Sequence, residues 1–370
     1  MKNIIVLLAL VLLTFHANAN EDGAFLDPAY DNLVHPKVND AKLYKSGITK
    51  NNVQAVIENM TAVRSQVSRG TCSIFSAVAI LEGMLVMQKG LEVDLDLSEE
   101  YLEYMAVGGR TSDGSNSYTN FSKIRKYGVP FETTLPYIGQ SWVDTPFLGM
   151  AQQRCGHLEG NKKKACLLVH HDTDLKNYLG EGWGSTYNPE YVSERDPELY
   201  DAFIEGKELK DEYYPIIGSS FSVYSTLAAK TLLRQGIPLT MGHDFFYGAY
   251  NHRKATEYGI NRDLENWNKG IIGYPEYGSV DRVESRKHRA GHSVLIVGYD
   301  DNKEVTTRVK MQDGTIKEFT YKGVYYFKNS WGTGSFGSEM EIDGVRYPGY
   351  GMMTQKYAHE FGSFYQLPIK

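Results

Sequence analysis

Four side chains in this sequence have the types, and the order along the chain, needed to attack a carbonyl carbon with sulfur: Gln66, Cys72, His292 and Asn329. Cys72 opens an apolar run within RSQVSRGTCSIFSAVAILEG, residues 64–83. A cysteine in the first turn of a helix lies against unpaired backbone N–H groups and the positive end of the helix dipole, and both favour thiolate over thiol. Gln66, six residues upstream, carries an amide that can donate toward the same point as the Cys72 backbone N–H. Two such donors make an oxyanion hole. His292 stands at the start of the apolar strand GHSVLIVGY, placed to exchange a proton with a thiol across a cleft. Asn329, in KNSWG after a second strand, can accept the imidazole N–H and fix its tautomer, while Trp331 shields that bond from water.

These groups need a helix to present the thiol and a sheet to present the imidazole. Ile74, Phe75, Ala77, Val78, Ile80 and Leu81 leave no polar face, so the Cys72 helix is predicted to lie inside the fold, with Gly70 and Thr71 as its start signal. Ser98 caps a second helix with Glu99 and Glu100 in its first turn, and Phe121 to Tyr127 reads as a third, ended by Gly128 and Pro130. TSDGSNS at 111–117 is a loop by composition. After a helix at Thr226–Gln235, the chain turns to short segments rich in β-branched and aromatic residues: 239–241, 293–299, 304–309, 317–321, 324–328 and 350–354, with a hairpin around Gln312-Asp313-Gly314. A helical first part and a strand-dominated second part predict an α+β fold with a cleft where they meet. Residues 139–211 show no clear period and read as an insertion within one domain spanning 48–370.

The formal charge is −6 across 370 residues, with no basic stripe, which argues against a nucleic-acid surface. Residues 1–19 carry Lys2, the apolar run Ile4–Phe15 and the small-residue site Ala17-Asn18-Ala19, the pattern of a secretory signal peptide cut after Ala19. A short arm or propeptide, 20–47, follows. The expected location is therefore secreted or periplasmic and oxidising, and no later segment approaches the roughly 18 apolar residues of a membrane span. Cys155 and Cys166 lie in RCGHLEGNKKKAC, which reads as an exposed loop, and are expected to form a disulfide that leaves Cys72 as a thiol. Closing that loop would stabilise by about 3 kcal/mol in the chain-entropy model. His170-His171 lack any metal-ligand spacing and read as surface histidines, so neither a metal nor another cofactor is expected.

With these residues in place the sequence resembles the papain-like cysteine proteases. The resemblance rests on Q-x5-C with its apolar helix in 66–82, LSEEYL at 97–102, KYGVP at 126–130, HSVLIVGYD at 292–300 and YYFKNSWGTG at 325–334, and covers roughly 50–138 and 225–356. It implies a helical left subdomain and a β-barrel-like right subdomain with the active-site cleft between them. It also implies Cys72 as nucleophile, His292 as acid/base, Asn329 as its orienter, Gln66 as oxyanion donor, and a peptide or protein as substrate. Gly114-Ser115 correspond to the double glycine that meets the substrate backbone, and Gly291 and Trp331 complete the substrate-binding candidates. His243 and Asp244 fall near the main side-chain pocket. Three positions depart from the pattern: Arg69 where such proteases carry a cysteine, Ser73 where they carry tryptophan, and Phe336 for the second tryptophan. The distance from Cys72 to His292 also exceeds the roughly 130–150 residues usual between nucleophile and histidine, which calls for an insertion between them. Amidase or acyl-transfer action on cell-wall peptides uses the same thioester. The alternative from another class is a binding protein that holds a peptide without cutting it.

Overall fold

The computed structural model describes residues 49–146, 148–180 and 186–370; the expected signal peptide at 1–19 and arm at 20–47 lie outside the described residues. Its helical half begins with α1 (Val53–Ile57) and α2 (Cys72–Lys89), in which every residue from Cys72 to Val86 is buried. That is the helix its lack of a polar face predicts. With 18 residues and mean hydropathy 1.4, α2 also has the length and composition of a membrane span, contrary to the expectation that no segment after the leader would, but it is the buried axis of the core. α3 (Glu99–Val107) starts on Ser98, whose hydroxyl accepts from the Tyr101 N–H, and α4 (Ser117–Tyr127) starts on Asn116, which accepts from Thr119. The sequence places the start of α4 four residues late because the Asn116 cap sits inside a stretch whose composition reads as loop.

Gly128 ends α4 at φ +74°, and a Cβ there would meet the Gly206 carbonyl oxygen at 1.8 Å. Gly128→Ala is therefore expected to destabilise the protein by about 1–3 kcal/mol from overpacking, with backbone strain added, as a lowered denaturation midpoint will show.

The middle of the chain is helical, not irregular: α5 (Gly149–Cys155), α6 (Gly160–Val169), α7 (Pro189–Arg195) and α8 (Pro197–Tyr213). Proline at the first position of α7 and of α8, after the caps Asn188 and Asp196, marks both starts. Leu199, Ala202, Phe203 and Gly206 form the buried stripe of α8 at helical spacing, and the first three pack with Tyr104 and Tyr127 in a second core. Two expectations fail here, the first in part. The segment between Cys155 and Cys166 is exposed at His157 and over 159–162 as expected, but it is loop only over 156–159 before α6 begins, and both cysteines are fully buried beside Trp142 and Leu167, their bridge joining α5 to α6 with Cα atoms 5.7 Å apart. His170 and His171 are buried rather than on the surface, because carboxylates meet them: Nδ1 of His170 bonds Glu100 and Nδ1 of His171 lies 2.6 Å from Asp196 Oδ2. Among the described residues no group of three or more potential ligands could hold a metal.

Around α9 (Thr226–Arg234), which the first strand precedes and the other strands follow, the sheet takes over. Its strands are β1 (Ser222–Val223), β2 (Leu239–Asp244), β3 (Ile271–Ile272), β4 (Gly291–Lys310), β5 (Ile316–Lys328), β8 (Tyr350–Thr354) and β9 (Gly362–Tyr365), with β6 (Glu341–Ile342) and β7 (Val345–Arg346) as a separate pair. The order is β1-β9-β2-β4-β5-β8-β3, antiparallel except where β3 meets β8. The segments expected as separate strands at 293–299 and 304–309 are one strand, whose register shifts between Asp300 and Glu304 absorb the turn-like Asp-Asp-Asn. α2 packs on β4. The α+β architecture is thus the expected one, with a helical half presenting Cys72 and a sheet presenting His292 and Asn329.

Candidate active site

Cys72 is the first residue of α2, and its side of the cleft is shaped by the turn before it. First-turn N–H groups have no intrahelical acceptor, so this is where a developing negative charge is best received. Thr71 holds the capping position but makes no cap hydrogen bond; its hydroxyl pairs with Tyr137 Oη at 2.8 Å, and that phenol donates to the Gln66 carbonyl at 3.0 Å. The Tyr137 ring meets Phe75 edge-on, so one phenol braces both ends of the turn.

Gln66 is completely buried, and besides its backbone carbonyl three further groups are held. Its backbone N–H donates to the Ser330 carbonyl, its side-chain carbonyl accepts from Ser330 Oγ at 2.7 Å, and its Nε2 donates to the Arg69 carbonyl at 2.6 Å. Ser330 neighbours Asn329, so the turn before Cys72 is tied to the residue whose side chain hydrogen-bonds His292.

On the sheet side, His292 Nε2 lies 2.8 Å from Asn329 Oδ1, and the same oxygen accepts the Ser330 backbone N–H at 2.9 Å. An atom receiving a backbone N–H must be the amide oxygen, so Nε2 of the ring carries the proton and Nδ1 the lone pair. Nδ1 is buried and has no hydrogen-bond partner. Trp331 stacks on the imidazole with centroids 4.6 Å apart and planes 25° apart, and Trp267 continues the stack behind it. Burial lowers the His292 pKa to about 4; the bond to Asn329 opposes this and His252 adds to it. The ring is therefore neutral through the physiological range. Asn329→Ala strands two buried donors, His292 Nε2–H and the Ser330 N–H, and is expected to cost about 1–3 kcal/mol for each in urea unfolding.

Over residues 49–178 the chain matches the papain family cysteine proteases. That papain-family stretch holds Gln66 and Cys72, whereas His292 and Asn329 lie beyond it. Among curated proteins, Cysteine proteinase 2 of Entamoeba histolytica is 34% identical over 83 residues, which is 22% of this chain and 26% of that protein. Cysteine proteinase 1 of the same organism is 33% identical over 87 residues. The chain thus spans about a quarter of the length of the curated relatives it matches. Among solved structures, xylellain, a cysteine protease from Xylella fastidiosa, aligns at TM-score 0.47 and 14% identity, covering 87% of each chain.

The remaining papain-type positions fall as follows. Gly114 takes φ +105°, a conformation that suits glycine, and its carbonyl accepts from Arg110. Ser115 Oγ donates to Asn120 Oδ1, and Asn120 Nδ2 donates to the Ser73 carbonyl at 2.8 Å, so this loop is bonded to the first turn of α2. Gly291 opens β4 opposite Asp244, and His243 faces His292 across the strands, their rings 5.8 Å apart.

Sequence reasoning missed the aromatic segment after β2. Tyr250 is fully buried, donates to His243 Nε2 at 2.9 Å and lies 6.0 Å from the His292 ring; Phe245 is 6.2 Å from the same ring. The signal was the density of rings in FFYGAYNH, residues 245–252, directly after a strand. With these rings in place Cys72 and His292 are each 3% exposed.

Proposed function

We propose that this chain is a cysteine-type peptidase. Cys72 Sγ attacks the peptide carbonyl carbon while its proton passes to His292 Nδ1. The tetrahedral oxyanion is received by the N–H groups at the start of α2 together with the second N–H of the Gln66 amide. As the C–N bond breaks, Nδ1–H protonates the leaving amine. Water then adds to the thioester with Nδ1 as base, the acid product leaves, and the thiol is restored. Asn329 fixes the ring through this cycle, and Trp331 keeps water from their hydrogen bond.

The single observation that supports this reading best is the double use of Asn329 Oδ1, which leaves the basic nitrogen of a neutral His292 without a hydrogen-bond partner inside a site that also holds a cysteine at a helix start. The match to the papain family over 49–178 points the same way. Gly114, Ser115, Gly291 and Trp331 are the proposed substrate contacts. Export, read from residues 1–19, belongs to the same proposal and suits a chain with one bridged pair of cysteines.

Incubation with a denatured protein at neutral pH, followed by mass spectrometry of new termini, tests it. New termini that grow with time support a peptidase. Their absence, with peptide bound but intact, would instead favour a protein that holds peptides without cutting them.

A further inference from the structure

Arg69 occupies the position three residues before Cys72, and its side chain is 1% exposed. A buried guanidinium is costly unless every donor is met. Here Nη2 contacts Glu103 Oε1 at 2.6 Å, the Leu168 carbonyl at 2.7 Å and Asp113 Oδ1 at 2.9 Å, while Nε reaches Asp113 Oδ2 at 3.4 Å, Nη1 reaches the Ile138 carbonyl at 3.4 Å, and Glu100 Oε2 lies at 3.7 Å. The Arg69 backbone is clipped to Gln66 in both directions: its N–H donates to the Gln66 carbonyl and its own carbonyl accepts from Gln66 Nε2. Wherever the guanidinium is held, Gln66 is held too.

Asp113 adds the second half of the arrangement. It pairs with Arg69 and also accepts the Gly70 N–H at 3.1 Å, so one carboxylate grips the turn at two successive residues. It directly precedes Gly114 and Ser115. Two of the three carboxylates beside Arg69 also differ in state. Burial pushes Glu103 well above the ordinary carboxylate range, whereas for Asp113 the charge of Arg69 and bonds from Glu103, Arg69 and Gly70 outweigh burial and hold it low.

We propose that Arg69 and Asp113 are positioning residues: their ion pair ties the loop around Gly114 to the turn that carries Gln66 and Cys72, and so sets the substrate-facing loop against the nucleophile. The substrate part of this rests on the peptidase reading; the mechanical part does not. Asp113 is the member to remove, because its side chain is 16% exposed and its loss leaves Arg69 with Glu103, Glu100 and two carbonyls.

The test is Asp113→Asn, with Asp113→Glu as the conservative rescue, in the full chain. Amide hydrogen exchange at 111–117 is expected to quicken at least tenfold in Asp113→Asn and to return toward wild type in Asp113→Glu, with the α2 core unchanged. KM for a peptide substrate is expected to rise about tenfold with kcat within about threefold, while the rate at which iodoacetamide, which needs no substrate loop, alkylates Cys72 stays within about twofold. Unchanged exchange at 111–117, or exchange that rises equally across the molecule, overturns the proposal. If the wild-type chain cleaves no peptide, the peptidase reading fails and the exchange result alone decides whether the tie exists.

Discussion

Cys72→Ala is expected to abolish peptide cleavage, lowering kcat/KM by about 10⁴-fold or more while leaving unfolding by urea within about 1 kcal/mol of wild type. The size follows from the role: the attacking atom is removed, and the residual rate is whatever binding and the oxyanion donors supply. The small stability change follows from chemistry at the same position. Alanine is the best helix former, it removes a single sulfur from the N-terminal end of α2, and Gln66, Ser330 and Asn329 keep their mutual hydrogen bonds without it. Cleavage that survived in Cys72→Ala would assign hydrolysis to another group or a contaminant.

A large effect on stability is expected at Arg69. Arg69→Met keeps volume and apolar stem but leaves Glu100, Glu103 and Asp113 facing one another without their cation, and leaves the Leu168 and Ile138 carbonyls without its donors. Removing one partner from a buried ionic cluster costs about 3–5 kcal/mol, against near zero for exposed pairs such as Lys50–Asp343. Arg69→Lys should recover only part of this, since an ammonium cannot span two carboxylates and two carbonyls as a planar fork does. The measurement is the denaturant midpoint of the three proteins at neutral pH. A loss below about 1 kcal/mol in Arg69→Met would mean the carboxylates simply take up protons.

The parts of this molecule that were legible in the sequence are those whose information is local. α2 is apolar on every face, so its burial could be read directly, and Ser98 and Gly128 marked helix ends by their own backbone preferences. Cys72, His292 and Asn329 stood out because each sits at the edge of an apolar element, and Gln66 by its spacing from Cys72. What was hidden is non-local or diluted. The stripe Leu199, Ala202, Phe203, Gly206 is helical in period, but the acidic and basic residues between its members mask it. His170 and His171 looked like surface residues because their carboxylate partners stand at 100 and 196. Arg69 carried no local sign of its role, since its partners come from 100, 103, 113, 138 and 168. Asp-Asp-Asn at 300–302 looked like a turn between strands, and the Asp300 side chain does accept the Asn302 N–H, yet β4 runs through it with a shift of register.

The central claim is that Cys72 is a nucleophile served by His292, and covalent capture tests it most directly. The mature chain would be mixed at neutral pH with an epoxysuccinyl peptide, beside His292→Ala, and the intact mass followed over time. One adduct per chain, mapped to Cys72, forming within minutes and slowed about a hundredfold or more in the variant, is the expected result. No adduct on the native protein, or one that forms equally fast without His292, would contradict the claim.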